Sequence, residues 1–233
     1  MAYNFLGLVN DVNRKLNEVE LTSSNFDTAA GFYSAAKDSV NSAIRFINQS
    51  AYEWPFNHVE AEDTLSAGDV RYALPSDVKT VDFDSFRIKR NNTLGNETRK
   101  LKLISYEDYL DNYIDAEYST DTSIRGVPSY VFRTPSQQYG VYPPPSAAFE
   151  VVYEYYRLPV DLLKYTDVPS LPEQFRSVIV DGAMHYAYFF RGNTQDATLH
   201  FQKFETGIKN MRSICINRYD YMRDTRVMHS RNF

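Results

Sequence analysis

The side chains best suited to chemistry are few and scattered. Four histidines, His58, His185, His200 and His229, fall in four separate segments. Asp181 and His185 stand four apart, a spacing that puts both on one helix face, where they could share a proton or hold a metal. The commoner outcome of that spacing is a local hydrogen bond on a helix surface. His58-Val59-Glu60 offers two ligand types on one strand face, with no third ligand near in sequence. A chain with 30 Asp and Glu always holds some close carboxylate pair, so the acids of a glycosidase are available without any pair being singled out. Gly-rich phosphate loops, GxSxG and CxxC are absent from the sequence. Cys215 lies on an apolar helical stripe and reads as a structural thiol, not a nucleophile. No cofactor and no metal is expected.

Composition narrows the class. The 233 residues are 43% hydrophobic with 19 Tyr and 15 Phe, far from a disordered profile and enough for a sizeable core. A net charge of −5 argues against a non-specific nucleic-acid binder. A single cysteine rules out an internal disulfide and fits a reducing compartment. The start, MAYNFLGLVNDVNRK, does not read as a secretory signal, and no apolar run approaches the ~20 residues that span a bilayer. The expectation is a soluble intracellular product with no membrane contact. The tyrosines could stack sugars or single-stranded nucleic acid, but in an acidic chain they read first as core and subunit-interface residues.

The elements that would position these groups follow from periodicity. Phe5, Val9, Val12 and Leu16 mark an amphipathic helix over residues 2–17, with Asn and Asp between the apolar positions. Ser24 and Asp27 resemble a capping box opening a second helix, along which Ala29, Tyr33, Ala36, Val40, Ile44, Ile47 and Ala51 recur until Trp54-Pro55. Such a helix would be a rod of roughly 40 Å. Residues 55–166 turn to short Val-, Tyr- and Phe-rich segments separated by turn residues, which predicts an antiparallel sheet or small barrel with one short helix over Tyr106–Tyr113. Tyr142-Pro143-Pro144-Pro145 must be extended, either a proline-rich ligand or, more commonly, a rigid turn between strands. Ser170 and Glu173 look like a capping box for a third helix striped by Phe175, Val178, Ile179, Ala183, Tyr186 and Phe190 and stopped at Gly192. A last helix carries Ala197, Phe201, Phe204, Ile208, Met211, Cys215 and Met222. The expected fold is α+β, a bundle of four long helices with a β insertion and an extended C-terminal tail. The expected divisions are 1–54 and 167–222 for the bundle, 55–166 for the β lobe and 223–233 for the tail.

These residues also carry a resemblance. LVNDVNRKLNEVELT, then a long helix ending in Trp54-Pro55-Phe56-Asn57, resembles the opening of the head-to-tail adaptors of short-tailed bacteriophages, the tail tubular protein A-like family. PEQFRSVIVDGAMHYAYFFRGN is similar to that family's second helical half. YALPSDVKTVDFDSF, YGVYPPPSAAFEVVYEYYRLP and INRYDYMRDTRV are similar to longer adaptors of this kind. The match rests on the order and spacing of these segments. It implies a non-enzymatic virion protein: a ring of twelve copies between portal and tail nozzle, enclosing a channel through which double-stranded DNA passes without sequence-specific binding. It also implies that the C-terminal segment grips the portal and that the β lobe faces neighbouring copies and the nozzle.

From Asn217 onward the net charge is +2, leaving −7 on the remainder. Arginine suits bidentate pairing with carboxylates across an interface. The candidate portal-binding residues are therefore Arg218, Tyr221, Arg223, Arg226, Arg231 and Phe233. Arg218 and Arg223 could equally serve the dipole of the preceding helix. Two rival readings stand beside the adaptor: a neck-borne peptidoglycan hydrolase using paired carboxylates, and a carbohydrate-binding module built on the tyrosine-rich lobe.

Overall fold

The computed structural model of the chain describes residues 2–50, 52–92 and 95–216, the side chains of 90–92 and 95–97 excepted. It divides into two compact units, residues 1–57 with 159–233, and residues 58–158.

The first unit is helical. Helix α1 spans Phe5–Lys15, α2 Phe32–Gln49, α5 Arg176–Phe190 and α6 Thr194–Cys215. The short helices α3, Tyr106–Asn112, and α4, Asp115–Tyr118, belong to the other unit. A bundle of four long helices does not form. The chain has six helices among its described residues, and α1 holds only 11 residues. The four helices of this unit are also not equivalent, because α5 touches α1, α2 and α6 alike. It buries Val178, Ile179, Val180, Gly182, Ala183, Met184 and Ala187, more than one stripe, whereas α6 buries only Ala197, Phe204, Ile208 and Met211. Met222 lies outside the described residues.

The 40 Å rod is absent for a local reason. α2 has 18 residues, about 27 Å at ~1.5 Å per residue. Gly31 before it takes φ +65°, a left-handed conformation that interrupts the helix and costs glycine little. Residues upstream form turns, in which the Asn25 side chain accepts from the Thr22 amide at 2.7 Å. Those turns drive Phe26 into the core, where its ring meets Phe5 edge-on at 5.2 Å. The Ser170 capping box is also not made: a 3-10 turn over Glu173–Phe175 precedes α5, with Pro172 at its cap, and the buried Ser170 hydroxyl has no partner among the described residues.

Two asparagines on the helices hold loops. Asn10 donates from Nδ2 to the Leu21 carbonyl and accepts from the Leu21 amide, both at 2.8 Å. Asn41 does the same to Leu162, both at 3.0 Å, across 121 positions of sequence. Arg176 adds a third tie, its Nε 2.6 Å from Asp11 Oδ2 and its Nη2 3.3 Å from the Gly7 carbonyl.

The second unit is a pair of four-stranded sheets, not a barrel. Its strands are β1 (His58–Leu65), β2 (Arg71–Ala73), β3 (Val78–Asn92), β4 (Gly95–Lys100), β5 (Lys102–Leu103), β6 (Tyr130–Thr134), β7 (Gln138–Tyr142) and β8 (Phe149–Arg157). One sheet runs β1-β8-β3-β4 and the other β2-β7-β6-β5, so each keeps two edge strands and neither closes on itself. Pairing is antiparallel except for β5 on β6. The two inner faces share a core of Leu65, Phe86, Ile88, Val131, Tyr139, Val141, Val151 and Tyr153. Apolar weight on both faces of β3 has its origin in a register shift between Asp82 and Arg87, which turns Phe83 and Phe86 to stack on each other at 5.4 Å. Ser85 repairs the ladder there, accepting from the Glu154 amide at 2.8 Å. The triproline is a rigid turn, with Pro144 and Pro145 buried and their carbonyls accepting from Gly126 and Gly68 at 2.9 Å.

Two substitutions test one of these ties and the packing of α5. Asn41→Ala leaves the buried amide and carbonyl of Leu162 unpaired, and should lower unfolding free energy by about 2–4 kcal/mol in urea titration. At Gly182 a Cβ would fall 2.6 Å from the Phe204 ring and 2.9 Å from the Ala43 Cβ. Gly182→Val should therefore destabilise by about 2 kcal/mol or more, since overpacking a filled helix crossing has no room to relax.

Candidate functional site

The structure separates Asp181 from His185. His185 Nδ1 lies 2.9 Å from the Ala197 carbonyl and so must donate to it, tying α5 to the start of α6. Asp181 instead meets Lys15 of α1 at 3.3 Å and His200 of α6 at 3.5 Å. The result is a junction of three helices at the surface of their core. Burial lowers the proton affinity of His200, Asp181 acts against that, and Lys203 and Lys15 act with it. His58 is likewise placed structurally: its Nε2 is 3.1 Å from Glu154 Oε2 and its ring stacks on Tyr156 at 4.7 Å. Glu60 stands directly opposite Glu154 in the ladder; Glu60 is exposed and Glu154 half-buried. Cys215 is partly buried against the helical core, and burial pushes its thiol up, which disfavours the nucleophilic thiolate. No group of three or more metal-ligating side chains occurs among the described residues.

Several polar stations escaped the sequence reading because their members are far apart in the chain. Asp63 on β1 accepts from the hydroxyls of Tyr139 at 3.1 Å and Tyr153 at 2.9 Å. Glu117 takes a bidentate pair from Arg71 at 2.8 and 3.0 Å and a third bond from Tyr109 at 3.0 Å. Asp77 accepts from Tyr155 at 3.1 Å. Burial is the largest cause raising the pKa of Tyr109, Tyr139, Tyr153 and Tyr155, and the carboxylates they face add to it. Tyr72 is pushed up to about 12 by burial. Each such tyrosine stays a neutral donor at neutral pH; Asp63 joins the two sheets, Asp77 ties the chain before β3 to β8, and Glu117 ties α3 and α4 to β2. Arg71 also lies 5.9 Å from the Tyr106 ring, closing a small cluster around α3.

What the geometry does offer is surface for partners. On the helical unit, Phe189 and Phe190 at the end of α5 and Leu199 and Ile214 of α6 are exposed. A shallow groove of about 370 Å³ runs between α2 and α5, lined by Ser34, Ala35, Asp38, Ser42, Tyr186 and Phe190. Its small α2 side chains admit close approach of another element. Exposed aromatic side chains beside such a groove suit contact with a partner more than catalysis.

The sequence matches the family described as SU10 adaptor protein over residues 3–228. The chain belongs to that family. It is a phage head-to-tail adaptor family, so the adaptor is a phage structural protein. No curated protein matches the chain. The adaptor's six candidate portal-binding residues, Arg218, Tyr221, Arg223, Arg226, Arg231 and Phe233, all lie outside the described residues.

His200 provides a pH test of the helical junction. Its affinity for a proton is lower folded than unfolded, so protonation favours the unfolded chain. The stabilisation is present above an unfolded value of about 6.5 and is lost as pH falls below it. The urea midpoint of the native protein should therefore fall more steeply from about pH 7 to about pH 5 than that of His200→Gln.

Proposed function

We propose that the protein is the head-to-tail adaptor subunit that joins the portal to the tail nozzle as a closed ring and forms part of the DNA channel. The observation that carries this reading is the family match across residues 3–228, which takes in both units. Two further features support it. The helical unit leaves Phe189 and Phe190 of α5 exposed near a groove of small α2 residues, surface that a neighbouring copy could cover. An acidic balance of −5 suits a lumen through which DNA must slide without sticking. Twelve copies is the count that the resemblance implies. Assembly belongs in the host cytoplasm and residence in the virion neck. No step calls for a cofactor or for catalysis.

In this reading residues 223–233 are the docking arm, with Arg226, Arg231 and Phe233 at the portal contact and Arg218, Tyr221 and Arg223 at its root. The arginines would pair with portal carboxylates as bidentate forks. The β unit would meet neighbouring copies and the nozzle.

Images of the purified protein, alone and mixed with portal, should show rings; a chain that stays monomeric in both conditions overturns the proposal. Deleting residues 223–233 should leave the thermal midpoint unchanged while abolishing portal attachment. Arg226→Glu with Arg231→Glu should weaken attachment by about tenfold or more, and the native contact should weaken as salt rises. Normal portal binding by the truncated protein would remove the arm from the contact.

A further inference from the structure

The β unit holds a groove of about 720 Å³ that its cores leave open. It continues into a second hollow of about 370 Å³. Clefts of about 300–1,000 Å³ are the size at which proteins receive ligands or side chains of a partner. The walls are apolar, with Phe83 of β3, Leu103 of β5, and Ile104 and Tyr106 beyond it. Arg133 and Thr134, at the end of β6, line both hollows.

Three observations say what would fit there. The first is an orphan polar group. Thr134 is 3% exposed, yet its hydroxyl has no hydrogen-bond partner among the described residues. A buried hydroxyl left so is unfavourable, and a bonded occupant would relieve it. The second is an unfinished sheet edge. β5 covers β6 only at Tyr130 and Val131, so Phe132, Arg133 and Thr134 have a strand neighbour on the β7 side alone. The third is charge. Arg133 is exposed and forms no ion pair among the described residues. Neither hollow is lined by a carboxylate, in a chain that carries 30 of them.

We propose that this groove receives an extended segment of a partner protein in which a carboxylate lies between apolar side chains, added as a short strand to the open edge of β6. The apolar side chains lie against Phe83, Leu103 and Tyr106, the carboxylate pairs with Arg133, and a backbone group satisfies Thr134. This is strand addition, in which main-chain bonds supply affinity and side-chain pockets supply selectivity. The inference rests on the adaptor reading only for where such a partner is met; the groove chemistry stands without it.

The probe is a fluorescein-labelled peptide of seven residues alternating valine and glutamate, titrated into the full-length protein by fluorescence polarisation. Saturable binding is expected. Replacing glutamate by lysine in the peptide, or Arg133→Glu in the protein, should weaken binding by about tenfold or more. A central proline should weaken it severalfold, because the added strand loses a backbone donor. Thr134→Val should weaken binding while leaving the thermal midpoint level or raised, an outcome that mere loss of fold would not give. The proposal falls if no saturable binding is seen, if the lysine peptide binds equally, or if Arg133→Glu has no effect. It falls too if sedimentation shows self-association that Arg133→Glu abolishes, since a second copy would then be the occupant. Rings that ignore the peptide would sink this inference and leave the adaptor standing, and a monomer that binds it would do the reverse.

Discussion

Buried asparagines set the terms for the helical unit. Its polypeptide enters, leaves for 101 residues and returns, so two loops must be held against helices that have no strand to offer them. Asn10 and Asn41 solve this in the same way, each presenting an amide and a carbonyl that match the backbone groups of Leu21 and Leu162. A buried loop otherwise carries peptide groups that nothing satisfies. With Leu162 fixed, the segment running into α5 starts from a defined point, and α5 can then meet α1, α2 and α6 at once. Arg176 secures that entry by binding Asp11 and the first turn of α1.

The β unit meets the same problem with a different residue. Its tyrosines fill the core between two sheets, and their hydroxyls converge on a few carboxylates, Asp63, Asp77 and Glu117. Burial favours the neutral phenol, and the facing carboxylate favours it further, so the donor and acceptor roles reinforce each other. Tyrosine thereby does two jobs at one position: aromatic area for packing and a bond that sets the spacing of strands. Phe86, stacked on Tyr153 at 4.5 Å, sits at the middle of that arrangement. The tyrosines of this unit are thus structural, filling the core and bonding to carboxylates that lie far away in sequence.

Much of this was legible in the chain. Apolar spacing located α2, α5 and α6 and most of their inward residues, because a helix that packs on a core must repeat near 3.6 positions whatever its partner. Phe190, expected on the buried stripe of α5, is instead 62% exposed at the end of that helix. Gly192 stopped α5 where expected, with φ +76°. Val-, Tyr- and Phe-rich segments marked the β region, the absence of paired motifs turned attention from catalysis, and the order of helical segments carried the adaptor resemblance. The excess of arginine at the end of the chain was likewise plain from composition.

Tertiary structure decided what depends on residues distant in sequence. Asn10 looked like part of a polar face, and only the arrival of Leu21 made its burial favourable. A capping pattern at Ser24 was overridden because Phe26 gains more by entering the core than by extending a helix. Asp181 left its helical neighbour for Lys15 and His200, since charge and burial across three helices outweigh one bond along one helix. Whether the strands closed into a barrel or stayed as two sheets was never encoded in alternation, which sets which way a side chain points but not which strand lies beside it. The groove at β6 belongs to the same class: it exists because β5 is two residues long, and that brevity shows only once β5 and β6 are seen side by side.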